Sequence, residues 1–220
     1  MNTNAKNARV AGLIYLCGLT APFSLIYVPR KLNAGGGSSV ARVLELEWML
    51  RWSIVLELAG VLAFVALAFA LYRLFENVDR FKATLMSVLI LLSVPVSFLN
   101  VVHELAALTI ARGDFLTGFT TPQLDGLVTL FLRLYGRGMM VNQVFWGLWL
   151  IPLGLLVIQS GFFPRFLGIL LLVNAAAYPL LTLTSLLAPD YTSLMMKVVF
   201  PAEFGELWFM LWMLIRGAKT

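Results

Sequence analysis

The sequence predicts an all-α, polytopic integral membrane protein: a bundle of six transmembrane helices plus an interfacial helix between the third and fourth spans. Hydrophobic residues make up 60% of the 220 residues and charged residues 12%, about half of the quarter that is usual in a soluble domain. The mean hydropathy is +0.90. Because a lipid-exposed backbone must satisfy its own hydrogen bonds, and because the alternating pattern of a barrel strand does not occur, we expect the apolar runs to be helices.

Six apolar runs are long enough to cross a hydrocarbon core of about 30 Å. The chain length suits one compact bundle, so we expect a single transmembrane domain over residues 1–220. The predicted spans are Val10–Val28, Trp52–Tyr72, Ala83–Leu105, Met139–Ile158, Phe166–Leu187 and Val198–Ile215. Lys6 and Arg9 precede the first run as in a signal peptide, but no Ala-x-Ala-like cleavage site follows, so we expect this helix to be retained.

Two of the connections between spans are long, and the second of them carries its own helix signal. Thr121 is placed to cap a helix and Pro122 to occupy its first helical position. The apolar stretch Leu124–Tyr135 is shorter than a span, and Gly136 and Gly138 follow it. We expect the two glycines to break the chain there, which leaves an interfacial helix lying over the bundle.

Basic residues near the spans indicate the orientation in the membrane. Lys6 and Arg9 lie just before the first span, and the basic residues on their side of the membrane lie in the shorter segments. Because such residues favour the cytoplasmic side, we expect both termini to be cytoplasmic and the two long connections to be extracytoplasmic.

Polar side chains occur toward the same end of several predicted spans, on the side of the long connections. Asn100, His103 and Glu104 share one helix face at spacing i, i+3 and i+4. Charged residues inside spans normally face the bundle and pair there, so we expect Arg137 to pair with Glu206 or Glu104. Carboxylates outnumber arginines, so at least one should hold a proton or a cation. The predicted polar cluster comprises Glu57, Asn100, His103, Glu104, Arg133, Arg137, Asn142, Glu203 and Glu206.

Several functional classes lack their sequence signals. The net charge of +5 comes from scattered residues without a basic run, so the predicted partner is the lipid bilayer and not nucleic acid. The segment that begins at His103 opens like a zinc-protease H-E-x-x-H helix, but Ala107 stands where the second histidine is needed. No G-x-S-x-G nucleophile motif occurs. We therefore predict neither a metal nor a cofactor, and enzyme activity is not the favoured interpretation.

The polar cluster leaves several functions open. The favoured hypothesis is a pocket on the extracytoplasmic side that binds a small molecule or a lipid headgroup. The alternatives are a membrane-embedded metal-dependent hydrolase, a small transporter, and a purely structural or interaction role in which the polar groups lock helix packing. The sequence does not determine the oligomeric state.

Four stretches resemble a known bacterial membrane family. They are "ARVAGLIYL", "LYRLF", "FWGLWLIPLGLLVIQSGFFPRFLGILLL" and "GELWFMLWMLIRG", and the similarity extends over nearly the whole chain. The family is catalogued as domain of unknown function 4386. The resemblance implies a multi-pass protein of a prokaryotic plasma membrane, and it supplies no catalytic or binding residues.

Overall fold

The structure, a computed structural model, describes residues 3–18, 27–33, 37–113 and 116–219. Within these ranges the chain is all-α and contains no strand. The helices are α1 (Thr3–Cys17), α2 (Val28–Asn33), α3 (Ser39–Glu45), α4 (Glu47–Phe75), α5 (Arg80–Arg112), α6 (Thr121–Ser160), α7 (Arg165–Leu187) and α8 (Thr192–Ile215), and a 3₁₀ turn (Pro189–Tyr191) precedes α8.

Five helices in the described part of the chain are long and apolar enough to cross a membrane: α4, α5, α6, α7, and α8 with its preceding 3₁₀ turn. The chain therefore has the architecture of a multi-pass membrane protein. Helix α1 has 15 residues, and residues 19–26 of the first predicted span lie outside the described residues. The sixth span stays a prediction.

The predicted break at Gly136 and Gly138 is wrong, because α6 continues through both residues to Ser160. The stretch expected to form a separate interfacial helix is the N-terminal part of this 40-residue helix. A glycine inside a helix costs about 1 kcal/mol relative to alanine, which tertiary packing easily exceeds. The helix also begins slightly earlier than predicted, since the Thr120 N–H donates to Gln123 Oε1 at 2.8 Å, the return bond of a capping box.

The described residues form two compact units, and helices α4, α5 and α6 contribute to both. The first unit comprises Met1–Cys17, Ala63–Val94 and Met140–Thr220. Its core includes the fully buried side chains of Phe75, Trp149 and Phe209, and both α1 and α7 pack on α8.

Small residues allow close helix contacts in the first unit. A Cβ added at Gly168 would lie 2.6 Å from the Gly154 carbonyl oxygen, and one at Gly205 would lie 2.8 Å from that of Leu170. Both separations are shorter than an ordinary van der Waals contact, so glycine is required at these crossings. Close approach through small residues is a common packing mode of membrane helices.

The second unit comprises Gly18–Leu62 and Pro95–Met139. Polar contacts join α3 to the start of α6: the Ser38 hydroxyl donates to Asp125 Oδ1 at 2.7 Å, and the Ser39 and Thr129 hydroxyls lie 2.8 Å apart. Arg112, at the end of α5, donates from Nη2 to Oε1 of Glu47, which lies at the start of α4, at a distance of 2.6 Å. The first turns of α4 and the last turn of α5 are therefore held at one end of this unit.

Candidate functional site

Two buried glutamates face each other in the second unit. Glu57 on α4 is 7% exposed and Glu104 on α5 is 1% exposed, and the two carboxyl groups are close enough to interact electrostatically. Neither forms an ion pair with any residue that the structure describes. Burying two carboxyl groups without a cationic partner is costly, which makes this pair the most unusual polar feature of the unit.

A tyrosine from α6 satisfies one of the two carboxyl groups. The Tyr135 hydroxyl, itself buried, donates to Glu57 Oε2 at 2.8 Å. Glu104 Oε2 is buried and has no hydrogen-bond partner among the described residues. Glu57 is thus anchored, whereas Glu104 keeps an open acceptor.

Asn100 lies one turn before Glu104 on the same face of α5. Its side chain is 2% exposed, and its Oδ1 atom lies 3.4 Å from Nδ1 of the partly exposed His103. Its Nδ2 group is buried and finds no acceptor in the described part of the chain. Gly138 of α6 lies directly against this amide, and a Cβ at that position would overlap it. The glycine that was expected to break the helix instead makes room for Asn100.

Ser53 adds a third unsatisfied polar group. It lies one turn before Glu57 on α4, is fully buried, and its hydroxyl has no partner among the described residues. Buried polar groups without a partner are rare in native structures, and each costs about 1–3 kcal/mol. Ser53, Asn100 and Glu104 therefore leave three buried polar groups of the second unit unsatisfied within the part of the chain that the structure describes.

A different polar cluster lies in the first unit, around Glu206 of α8. The carboxylate accepts hydrogen bonds from the Tyr15 hydroxyl on α1, from Asn174 Nδ2 at 3.0 Å and from the Tyr178 hydroxyl at 3.0 Å, both on α7. Glu203, one turn away, interacts with it electrostatically. Three donors satisfy this carboxylate, so it links α1 and α7 to α8, while the buried Oδ1 atom of Asn174 has no partner among the described residues.

The nine residues of the predicted polar cluster are divided between the two units. Six of the nine predicted cluster residues lie in the second unit, and Asn142, Glu203 and Glu206 lie in the first. Arg133 and Arg137 are exposed on α6, and neither forms an ion pair with a described residue. The ion pair predicted for Arg137 is therefore absent among the described residues. A single pocket formed by all nine residues stays a prediction.

The carboxylates do not gather into a metal site in the described ranges. No group of three His, Cys, Asp or Glu side chains there is close enough to hold a metal ion. An open groove of about 370 Å³ in the second unit is lined by Trp48, Met49, Trp52 and Leu56. Its lining is apolar, which does not suit a cation.

A family model described as a domain of unknown function (DUF4386) matches residues 10–217. The chain belongs to this family. The predicted family resemblance is confirmed over nearly the whole chain. No curated protein and no solved structure matches the chain. For this DUF4386 protein, the chemistry of the site is therefore inferred from the residues of this chain alone.

Sequence reasoning missed the hydroxyl-bearing members of both clusters, together with Asn174. Tyr135 and Ser53 complete the surroundings of the glutamate pair, and Tyr15, Asn174 and Tyr178 surround Glu206. The predicted cluster consists of charged side chains, one histidine and two amides, whereas tyrosine and serine are common in membrane helices and do not stand out. A signal does exist: a buried tyrosine normally needs a hydrogen-bond partner, and a glutamate inside a span is a natural acceptor.

Proposed function

We propose that this DUF4386 protein is a multi-pass protein of a prokaryotic cell membrane that binds a small polar molecule or a lipid headgroup. The proposed site consists of Ser53 and Glu57 on α4 and Asn100 and Glu104 on α5, and it opens on the extracytoplasmic side. The observation that carries the proposal is that three buried polar atoms of the second unit have no partner among the described residues: Ser53 Oγ, Asn100 Nδ2 and Glu104 Oε2.

A comparison of two glutamates supports a ligand over a purely structural role. Where a glutamate links helices, as Glu206 does, three donors surround it. Glu104 is only 1% exposed, yet its Oε2 atom has no donor among the described residues. If Glu104 served packing alone, an apolar side chain of the same size would make the protein more stable. The open acceptor is therefore better explained by binding.

The depth of the site supports access from the membrane surface. Trp48 and Trp52, 71% and 47% exposed, pack edge to face at 5.7 Å at the start of α4, and tryptophan is enriched at the lipid–water boundary. Glu57 follows Trp52 by five residues, which is about 8 Å along the helix. Partly exposed His103 next to Asn100 provides a polar rim.

Mass spectrometry of bound molecules after purification in mild detergent tests this proposal. Three proteins are compared: wild type, Glu104→Gln, and Glu45→Gln as a control for an exposed acid of the same unit. A molecule that co-purifies with wild type and with the control should fall about tenfold or more in Glu104→Gln, since one charge-assisted contact is lost. Equal amounts in all three proteins, or no bound molecule in any of them, would overturn the proposal.

A further inference from the structure

We propose that the ligand presents a primary ammonium group beside a hydrogen-bond-accepting oxygen, as in an amino alcohol or an ethanolamine headgroup. The inference rests on the proposed function, since it specifies the chemistry that the Glu57–Glu104 site would recognise. It is carried by the two carboxyl groups, by the unsatisfied acceptor of Glu104 beside the unsatisfied donor of Asn100, and by the hydrogen-bonding groups that surround them.

Two buried carboxyl groups without a basic partner among the described residues favour a cationic ligand. Glu57 and Glu104 are both carboxylic acids, both are buried, and no described basic side chain pairs with either. Intramembrane acids of this kind normally meet a positively charged partner. The described residues do not form a three-ligand metal set, which favours a cation that binds through hydrogen bonds. An ammonium group has three N–H donors and no acceptor, and Glu104 Oε2 offers it an open acceptor.

The amide of Asn100 needs a hydrogen-bond acceptor, which an ammonium group does not have. Its Oδ1 atom lies 3.4 Å from His103 Nδ1, and its Nδ2 donor has no acceptor among the residues that the structure describes. An ammonium group only donates, so it cannot satisfy this N–H. A ligand oxygen close to the ammonium group would satisfy it. A hydroxyl or a phosphodiester oxygen two carbons away has the required proximity, because Asn100 and Glu104 are neighbours one helical turn apart.

The same features disfavour a quaternary ammonium group such as choline. A trimethylated nitrogen has no N–H to donate to Glu104, and its recognition normally depends on a cage of aromatic faces. The hydrogen-bonding groups of the site are two carboxyl groups, an amide and two hydroxyls, those of Ser53 and Tyr135. We therefore expect selectivity for the primary amine.

Thermal shift and isothermal titration in detergent test the ligand class with three probes: ethanolamine, choline, and ethylamine, which lacks the oxygen. Ethanolamine should bind wild type and the Glu45→Gln control alike, and choline should bind about tenfold more weakly or not at all. Ethylamine should also be weaker than ethanolamine, and Glu104→Gln should lose the ethanolamine response. The comparison of probes on wild type stays informative even if Glu104→Gln does not fold. Equal binding of choline and ethanolamine would overturn the inference.

Nanodiscs separate the two sources of this chemistry. Protein in phosphatidylcholine discs is compared with protein in discs containing phosphatidylethanolamine. If the headgroup is the ligand, phosphatidylethanolamine should stabilise the wild type and Glu45→Gln but not Glu104→Gln, and it should abolish the response to free ethanolamine. If a free amine is the ligand, ethanolamine should act equally in both kinds of disc. If a bound molecule depends on Glu104 in mass spectrometry but neither amine source has an effect, the amine class is wrong and the proposed function stands. If no bound molecule depends on Glu104, the proposed function fails as well.

Discussion

Replacing Glu206 with leucine should destabilise the protein, whereas the same replacement at Glu104 should stabilise it. Both are glutamates in apolar helices, so hydropathy alone predicts that leucine improves both positions. The structure distinguishes them by their partners. Glu206 accepts three hydrogen bonds, whereas one buried oxygen of Glu104 has no donor in the described part of the chain.

The size of each effect follows from these partners. Each hydrogen bond between membrane helices contributes about 0.6 kcal/mol on average, so the three bonds of Glu206 contribute about 2 kcal/mol. Leucine also strands the hydroxyls of Tyr15 and Tyr178, so the total loss in free energy of unfolding should be about 2–5 kcal/mol. Removing the unsatisfied carboxyl of Glu104 should instead raise the free energy of unfolding by about 1–3 kcal/mol, as is common when a strained functional site is replaced.

Unfolding by sodium dodecyl sulfate in mixed micelles, followed by far-ultraviolet circular dichroism, measures both changes. The control is Tyr178→Phe, which removes one of the three Glu206 hydrogen bonds and should cost about 0.6 kcal/mol. If Glu104→Leu lowers the free energy of unfolding as much as Glu206→Leu does, then Glu104 has a structural partner. The reasoning from its open acceptor would then be refuted.

Three further outcomes are expected. The hydrogen bond from the Lys82 side chain lowers the pKa of Asp79. The Asp79 carboxylate therefore stabilises the fold above its unfolded pKa of about 4, and this stabilisation is lost as the pH falls through the folded pKa. Acid titration of thermal stability should show this loss in the wild type and not in Asp79→Asn. Gly168→Ala should lower the free energy of unfolding by about 1–3 kcal/mol, because the new Cβ would meet the Gly154 carbonyl. Gly136→Ala should raise it by about 0.5–1 kcal/mol, because a Cβ there meets no described atom within 4 Å. Chemical unfolding of both variants measures the contrast. Elemental analysis of purified protein should find no stoichiometric transition metal, and a stoichiometric metal would revive the hydrolase hypothesis.

The sequence was sufficient for the class of the protein and for most of its helices. Apolar runs predicted the spans now seen as α4, α5, α7 and α8, because burying an apolar helix in lipid depends on composition summed over about 20 residues. The helices extend beyond the predicted spans, as α5 does from Arg80 to Arg112. Hydropathy locates the apolar part of a helix, whereas backbone hydrogen bonding continues into its polar ends.

The sequence also found part of the candidate site. Asn100, His103 and Glu104 were grouped by helical spacing, which is a local property of one helix, and Glu57 was selected as an acid within a span. The structure places these four residues in one unit. Helical spacing could not reveal that Arg137 is exposed without an ion-pair partner among the described residues.

Only the tertiary structure decided which glutamate is satisfied and which is open. Tyr135 reaches Glu57 across 78 residues of sequence, and Tyr15 reaches Glu206 across 191. The close approach of the Asn100 side chain to Gly138 likewise joins two different helices. These contacts depend on how each helix is rotated about its axis and on how closely its neighbours approach. Rotation and approach are set by the packing of many side chains from distant parts of the chain, whereas hydropathy and helical spacing describe one segment at a time.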